Sequence, residues 1–425
     1  MGPQEVAQQT SVGAVMEGPL EYRVVLTPAL ARELTANGHA VYFQSGFAAR
    51  AGFTDQMYIH AGAQQCATAE QVYQNCTIML LVNPPSTEEY KYIRREQVLF
   101  SFVPFAATAA AQQQQRELMQ ALAAAAATLI CYSSIVSSSN PTFAPVHYAV
   151  CNTAAYLGVQ QAANLLANSE GLVFGGPPGA PATSVLVLGG GPCGARAAAL
   201  AAAAGAQVTV MDTDLALLSR ISSSSSSSSS CGVRTLQYSQ ANLEAILPAT
   251  NVVFGCAIPA AGRAPVLLSQ QQQQLLPAGA AAVDLAAAAG GNFAATKPGS
   301  IENPTYSSSG CCMYTAANIC CLAPKTSSLA ISHAAMPFVL QLANRGWKAA
   351  VLNSVGLQQG LFVAAGCCTS AFLAAATGCT YTPVEQLLQH EIQQLPQQQT
   401  AIAQLKQQLN TFRGQQQGAS FTVEA

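Results

Sequence analysis

Charge is what this chain has least of. Asp, Glu, Lys and Arg together make up 8% of its 425 residues, where ordinary soluble domains carry about a quarter. A net charge of −2 leaves no electrostatic footprint for nucleic acid or an anionic membrane. Long apolar runs are missing too: Gln, Arg or Ser interrupts each candidate before it reaches the ~18 residues of a membrane span. The opening MGPQEVAQQT reads as a tail, with neither a basic nor an apolar leader region, so the cytoplasm is the expected compartment. None of the 14 Cys sits in a CxxC pair or near a His at zinc spacing. The vicinal pairs Cys311–Cys312, Cys320–Cys321 and Cys367–Cys368 therefore read as reduced, semi-buried thiols, and no metal is expected.

Ala, Ser and Gln stand where a surface would carry Glu and Lys. Ser222–Ser230 is an unbroken serine run, Gln270–Gln274 a glutamine run, and Ala123–Ala127 and Ala286–Ala289 are alanine runs. Three origins fit such filling: genuine low complexity, a redesigned chain, or positions whose side chains were never identified. Under each of them the Gly, Pro, aromatic and aliphatic framework carries the argument. A serine run usually marks a linker, yet this one falls where a helix is due.

The framework is clearest over Ser184–Arg220. The β run Val185–Leu188 feeds Gly189, Gly191 and Gly194, an Ala-rich helix follows, and a second β run, Val208–Met211, ends on Asp212. This is the βαβ dinucleotide fingerprint in its required context. Gly189 permits the tight turn, Gly191 lets backbone approach a pyrophosphate, and Gly194 lets helix and strand pack closely. The phosphates would sit at the positive end of the helix dipole. Asp212 would accept hydrogen bonds from a ribose diol and repel a 2′-phosphate, which points to NAD rather than NADP.

Upstream, strands and helices alternate. Val12 opens a strand, and Thr27 caps a helix starting at Pro28 and ending at Gly38. Further strands are expected over His39–Gln44, Ile78–Val82, Val98–Val103 and Thr128–Tyr132, with a helix over Ala106–Ala127. A long helix over Tyr148–Leu166 leads into the nucleotide-binding half, which continues through Thr235–Tyr238, Val252–Cys256 and Ala281–Leu285. An apolar helix, Ala335–Asn344, returns the chain to the first half, and the Gln-rich end has helical spacing of Leu and Ile. The alternation predicts an α/β protein of two Rossmann-like domains with doubly wound parallel sheets, one of them binding NAD. The expected division is 12–140 and 318–383 for a substrate domain, 141–317 for the NAD domain, and 384–425 for a tail. His39, directly after the helix-ending Gly38, reads as a helix-end residue, while His60 and His333 lack partners at useful spacing and read as structural.

Several stretches, in collinear order, resemble the alanine dehydrogenase family: EYRVVLTPA, GFTDQMYIHAGA, LGGGPCGARAAALAAAAGAQVTVMDTD and PKTSSLAISHAAMPFVLQLANRGW. The nucleotide-binding subunit of proton-translocating transhydrogenase is a second relative, towards which DLAAAAGGN leans. The resemblance implies NAD-dependent oxidative deamination of L-alanine to pyruvate and ammonia, by a homo-oligomer that in this family is often a hexamer. It makes Arg23 the carboxylate-binding arginine and Asn318 a partner of nicotinamide and substrate. Ser239, Ile258, Leu285 and Ile319 join the three glycines and Asp212 as cofactor contacts, and His147 stands where the family has a cofactor-contacting Ser. Three positions depart from the pattern. Asn83 replaces a substrate-binding Lys, Pro104 the acid/base His, and Ala288 an active-site Asp. These changes leave two other readings open: a non-catalytic NAD-binding protein on the same scaffold, and a transhydrogenase-like subunit.

Overall fold

Strand and helix alternate through both halves of the chain, and each half winds its strands in the same order. The computed structural model describes residues 9–106, 108–225, 232–258 and 263–393. Its first half runs β1 (Ser11–Ala14), α1 (Pro28–Ala36), β2 (Ala40–Gln44), α2 (Asp55–His60), β3 (Gln64–Cys66), α3 (Ala69–Asn75), β4 (Ile78–Leu80), β5 (Val98–Ser101), α4 (Ala109–Ala124) and β6 (Thr128–Cys131). Helix α5 (Pro145–Glu170) leads to β7 (Ser184–Leu188), α6 (Pro192–Ala203), β8 (Gln207–Asp212), α7 (Leu215–Ser225), β9 (Arg234–Gln237), α8 (Gln240–Ile246) and β10 (Val252–Gly255). Then come α9 (Gln270–Gln273), β11 (Ala281–Asp284), β12 (Thr305–Ser308) and β13 (Cys311–Tyr314). The described chain closes with α10 (Pro324–Leu352), α11 (Val355–Gly360), β14 (Leu361–Ala364), β15 (Cys367–Cys368), α12 (Ala371–Thr377) and α13 (Val384–Gln393).

Two sheets result, ordered β15-β14-β6-β5-β4-β1-β2-β3 and β12-β13-β11-β10-β7-β8-β9. In the first, the chain steps outward from β1 through β2 to β3, then returns past β1 to β4, β5 and β6. The second repeats this from β7 through β8 and β9, then back to β10, β11 and β13. Both are doubly wound, and these central strands pair in parallel. Every residue of β5, β6, β10 and β11 is buried, as a parallel sheet covered by helices on both faces requires. Each sheet also gains antiparallel edge strands: β12 on β13, β14 on β6, and β15 on β14. The sequence did not announce β12 and β15, because Thr305–Ser308 and Cys367–Cys368 lack the aliphatic pattern of a covered strand; β14 (LFVA) carries that pattern and was passed over.

Helix limits differ from expectation for local reasons. Helix α5 starts at Pro145, whose ring suits a first helical residue, and ends at Gly171 in the left-handed region. Helix α10 begins at Pro324 rather than near Ala335, its buried Ser327 and Ser328 hydroxyls both finding partners. Ser327 donates to the Cys320 carbonyl at 2.7 Å and Ser328 to the Pro324 carbonyl at 2.6 Å. Gly346, at φ 73° and ψ 154°, breaks the helical geometry within it. The start of the serine run does belong to a helix, α7, and residues 226–231 lie outside the described residues. Leu388 of α13 is buried, with Val384 and Leu387 packed on the first sheet's core, so the Gln-rich end begins anchored rather than solvated. Residues 394–425 lie outside the described residues. Among the described residues, no helix is long and apolar enough to cross a membrane.

Candidate active site

A doubly wound sheet has a crevice where the winding reverses, beyond the carboxyl ends of the two strands that flank the reversal. Here there are two such points, β7/β10 and β1/β4. They hold, respectively, the glycine turn and a cluster of buried charge.

At the first, Gly189 adopts φ 101°, and a Cβ there would meet the Ala257 amide nitrogen at 2.6 Å. A Cβ on Gly194 would lie 1.8 Å from the Gly189 carbonyl oxygen. Neither position admits a side chain. Gly191, by contrast, faces open space and caps the N-terminus of α6 with no side chain on its free amides. That open, donor-rich helix end fits the pyrophosphate of a dinucleotide. Asp212 closes the other side of the turn, its carboxylate accepting from the Gly190 amide at 2.6 Å and the Asp214 amide at 2.9 Å. Ile258 follows β10 and Leu285 follows β11, Leu285 packing against Gly158 of α5. Ile319 is buried in the same core. Ser239 lies beyond β9, where its hydroxyl caps α8 by accepting from the Asn242 amide at 3.2 Å.

Loops beneath the turn are held by a buried carboxylate. Asp284 accepts from the Ala286 amide at 2.9 Å, the Asn292 amide at 2.8 Å and the Thr296 hydroxyl at 2.5 Å. Burial raises its carboxyl above the usual range, with these donors opposing the shift. Asn292 in turn accepts from the Ala257 amide at 2.9 Å. Ala288 sits exposed on this loop and has no group to offer a substrate.

At the β1/β4 point the site is made of side chains. Arg23 forms a two-pronged pair with Glu21, Nε to Oε1 and Nη2 to Oε2, both at 2.7 Å. The two side chains are only 9% and 5% exposed. Asn83 and Asn318 each donate a side-chain amide to Glu21 Oε2, at 2.8 and 2.9 Å, and the Cys321 thiol reaches Oε1 at 3.2 Å. Glu21 therefore joins Arg23 and Asn83 of the first sheet to the segment that leads out of the second. Glu17, part-buried beside it, accepts from the Val82 amide at 2.5 Å and the Asn83 amide at 2.8 Å. Helix α10 fixes the segment after Arg23: the Ser328 hydroxyl accepts from the Val24 amide at 2.9 Å, and Ser332 meets Thr27 at 2.8 Å.

The two glutamates are driven in opposite directions. Burial alone would raise Glu21, but the hydrogen bonds and charge of Arg23 outweigh it and hold the carboxyl down at about 2. Burial and the Glu21 charge push Glu17 up to about 8, against the Val82 and Asn83 amides and the more distant Arg23. Burial, then the Glu21 charge, raises the Cys321 thiol to about 12, so it stays protonated. His147, in the first turn of α5, is lowered by burial, and its Nε2 lies 3.4 Å from the Cys151 sulfur. Pro104 offers only its carbonyl, which accepts from Gln115 at 2.7 Å. His39 is fully engaged, its Nε2 2.7 Å from the Asn344 Oδ1 and its Nδ1 accepting from the Thr10 amide at 3.4 Å.

The structure thus brings Arg23, Asn83 and Asn318 together, and gathers Gly189, Gly191, Gly194 and Asp212 at the other crevice. Sequence reasoning missed Glu17 and Glu21. A signal existed, because MEGPLEYR packs three charges into eight residues of a chain that has few.

Both halves match family models: the alanine dehydrogenase/PNT N-terminal domain over residues 14–148 and the corresponding C-terminal domain over residues 155–371. The chain belongs to the alanine dehydrogenase/PNT family. The alanine dehydrogenase of Mycobacterium tuberculosis is 32% identical over 365 residues, spanning 85% of this chain and 95% of that one. That of Bacillus subtilis is 30% identical over 382 residues, spanning 87% and 95%. A solved L-alanine dehydrogenase superposes with a TM-score of 0.78 at 29% identity, covering 87% of this chain and 99% of that one. A transhydrogenase from Sinorhizobium meliloti shares the fold, with a TM-score of 0.69 at 20% identity over 85% of this chain and 99% of that one.

Proposed function

We infer that this protein is an NAD-dependent amino-acid dehydrogenase that oxidatively deaminates L-alanine to pyruvate and ammonia. The observation that carries the reading is the joint between the two crevices. Asn318, at the exit from the nucleotide-binding half, bonds to the same carboxylate as Arg23, which supports a site shared between substrate-binding groups and cofactor. A nicotinamide held there would supply the hydride acceptor. Gly189, Gly191 and Gly194 would let the pyrophosphate rest on the α6 amides, and Asp212 would select the unphosphorylated ribose. Ser239, Ile258, Leu285 and Ile319 supply the remaining cofactor contacts.

Arg23 binds the substrate carboxylate and shares its charge with Glu21, while Asn318 orients substrate against the nicotinamide. Residues 12–140 with 318–383 make up the substrate unit and 141–317 the cofactor unit. The working form is a cytoplasmic homo-oligomer, a reading that rests on the family resemblance of the sequence. Asn83, Pro104 and Ala288 favour a second reading, a protein that binds NAD without turnover, because none of them carries a charge or a transferable proton.

The test is NADH formation from NAD and L-alanine by the purified chain, with NADH binding measured on the same sample. Turnover supports the dehydrogenase. Binding without turnover supports the second reading, and absence of both removes the two together.

A further inference from the structure

Glu17 follows β1 and rests on the Val82 and Asn83 amides just beyond β4, at the reversal point of the first sheet. That is where doubly wound sheets bind ligands. The titratable groups facing it are Glu21 and Arg23 from its own loop, Tyr73 from α3 and Tyr132 after β6. Glu21 already holds the Arg23 cation. Burial raises both tyrosines, which remain neutral phenols. Asn83, opposite, donates amides and brings no charge. Glu17 therefore keeps its proton at neutral pH, at about 8, while Glu21 stays ionised, at about 2. Two carboxyls driven apart by their surroundings mark an acid/base division of labour. The Val82 amide takes one lone pair of Oε1, while the backbone and side-chain amides of Asn83 both face Oε2, which leaves Oε1 the freer oxygen for a proton.

Resting on the dehydrogenase reading, we propose that Glu17 is the proton donor and acceptor of the carbinolamine–iminium step, a duty for which Pro104 has no group. In the amination direction the carbinolamine C–O bond breaks. The hydroxyl takes the Glu17 proton and leaves as water, the nitrogen lone pair forms the C=N bond, and Glu17 is left as carboxylate. Deamination runs the same atoms backwards, with the Glu17 carboxylate taking a proton from the water that adds to the iminium carbon.

The test is the pH dependence of kcat/KM for the full chain and for Glu17→Gln, Glu17→Asp and Asn83→Lys, with infrared spectra of the same proteins. The wild type is expected to show a limb near pH 8. Glu17→Gln loses the limb and about 10²–10⁴ in rate. Glu17→Asp keeps the limb. Asn83→Lys moves it to lower pH, because an ammonium beside Oε2 favours the carboxylate. A neutral-acid carbonyl band, present at neutral pH and missing from Glu17→Gln, reads the same proton without turnover.

NADH binding reports whether each variant folds. A folded Glu17→Gln that keeps limb and rate overturns the role and leaves the dehydrogenase standing. Should Glu17→Gln not fold, an unmoved limb in Asn83→Lys overturns it instead. A wild type that binds NADH but turns over no alanine overturns the dehydrogenase reading, and this role with it.

Discussion

The two reversal points solve the same topological problem with different materials. At β7/β10 the site is backbone: a glycine turn, free helix amides and one aspartate. At β1/β4 it is side chain: two glutamates, an arginine and two asparagines, tied together inside a chain with few charges. A backbone site survives changes of composition as long as its glycines stay, because nothing larger fits. A side-chain site keeps its shape while its chemistry changes with each substitution. The glycine turn accordingly retains its fingerprint, whereas Asn83, Pro104 and Ala288 stand where the family resemblance implies a cation, a proton carrier and an anion.

The sharpest way to break this contrast is to return the lost chemistry. Asn83→Lys combined with Pro104→His should raise kcat/KM for L-alanine by about ten- to a hundredfold, the worth of a charged hydrogen bond to substrate of ~1.5–3 kcal/mol, with NADH affinity held, as read by steady-state kinetics and fluorescence titration. A smaller loss is expected on the other side. Gly194→Ala drives a methyl into the Gly189 carbonyl, and overpacking of ~1–3 kcal/mol should weaken NADH binding roughly tenfold. Its fluorescence titration is the check. Asp212→Ala removes a charged ribose acceptor worth ~1.5–3 kcal/mol, so discrimination against NADP should relax by about tenfold or more, measured as the ratio of the two dissociation constants.

The smallest effects separate the two glutamates by stability. Glu21 sits below its ordinary value of 4.5, so its pairing stabilises the fold above that value and is lost as pH falls towards 2. Glu17 sits above its ordinary value, so its contribution is complete below 4.5 and is lost as pH rises through about 8. In urea midpoints taken across pH, Glu21→Gln should flatten the acid slope and Glu17→Gln the fall between pH 4.5 and 8. Matching profiles would show that the two carboxyls share one environment.

The same contrast explains what could be read from the residues. Gly189, Gly191, Gly194 and Asp212 follow one another in sequence, so local pattern was enough to find the turn and its strands. Most of the parallel strands carry aliphatic runs and were equally visible, but β3 (QQC) and β13 (CCMY) carry none and were not. Strands β12 and β15 were not, since an edge paired on one side tolerates Ser and Cys. Glu21 acquires its meaning only when Asn83 and Asn318, far away in the chain, converge on one oxygen. Glu17 likewise needs the Val82 and Asn83 amides before its environment exists. PKTSS read as a family signature, and the fold supplies its physical reason: Ser328 and Ser332 fasten the segment that follows Arg23.

The most direct test uses L-alanine deuterated at its α-carbon, incubated with NAD and the full chain, with the reduced cofactor analysed by mass spectrometry. The account predicts deuterium in the NADH, because Arg23 and Asn318 would set that carbon against the nicotinamide. Unlabelled cofactor from a protein that still binds NADH would contradict it, leaving an intact dinucleotide crevice beside a substrate crevice that does no chemistry on alanine.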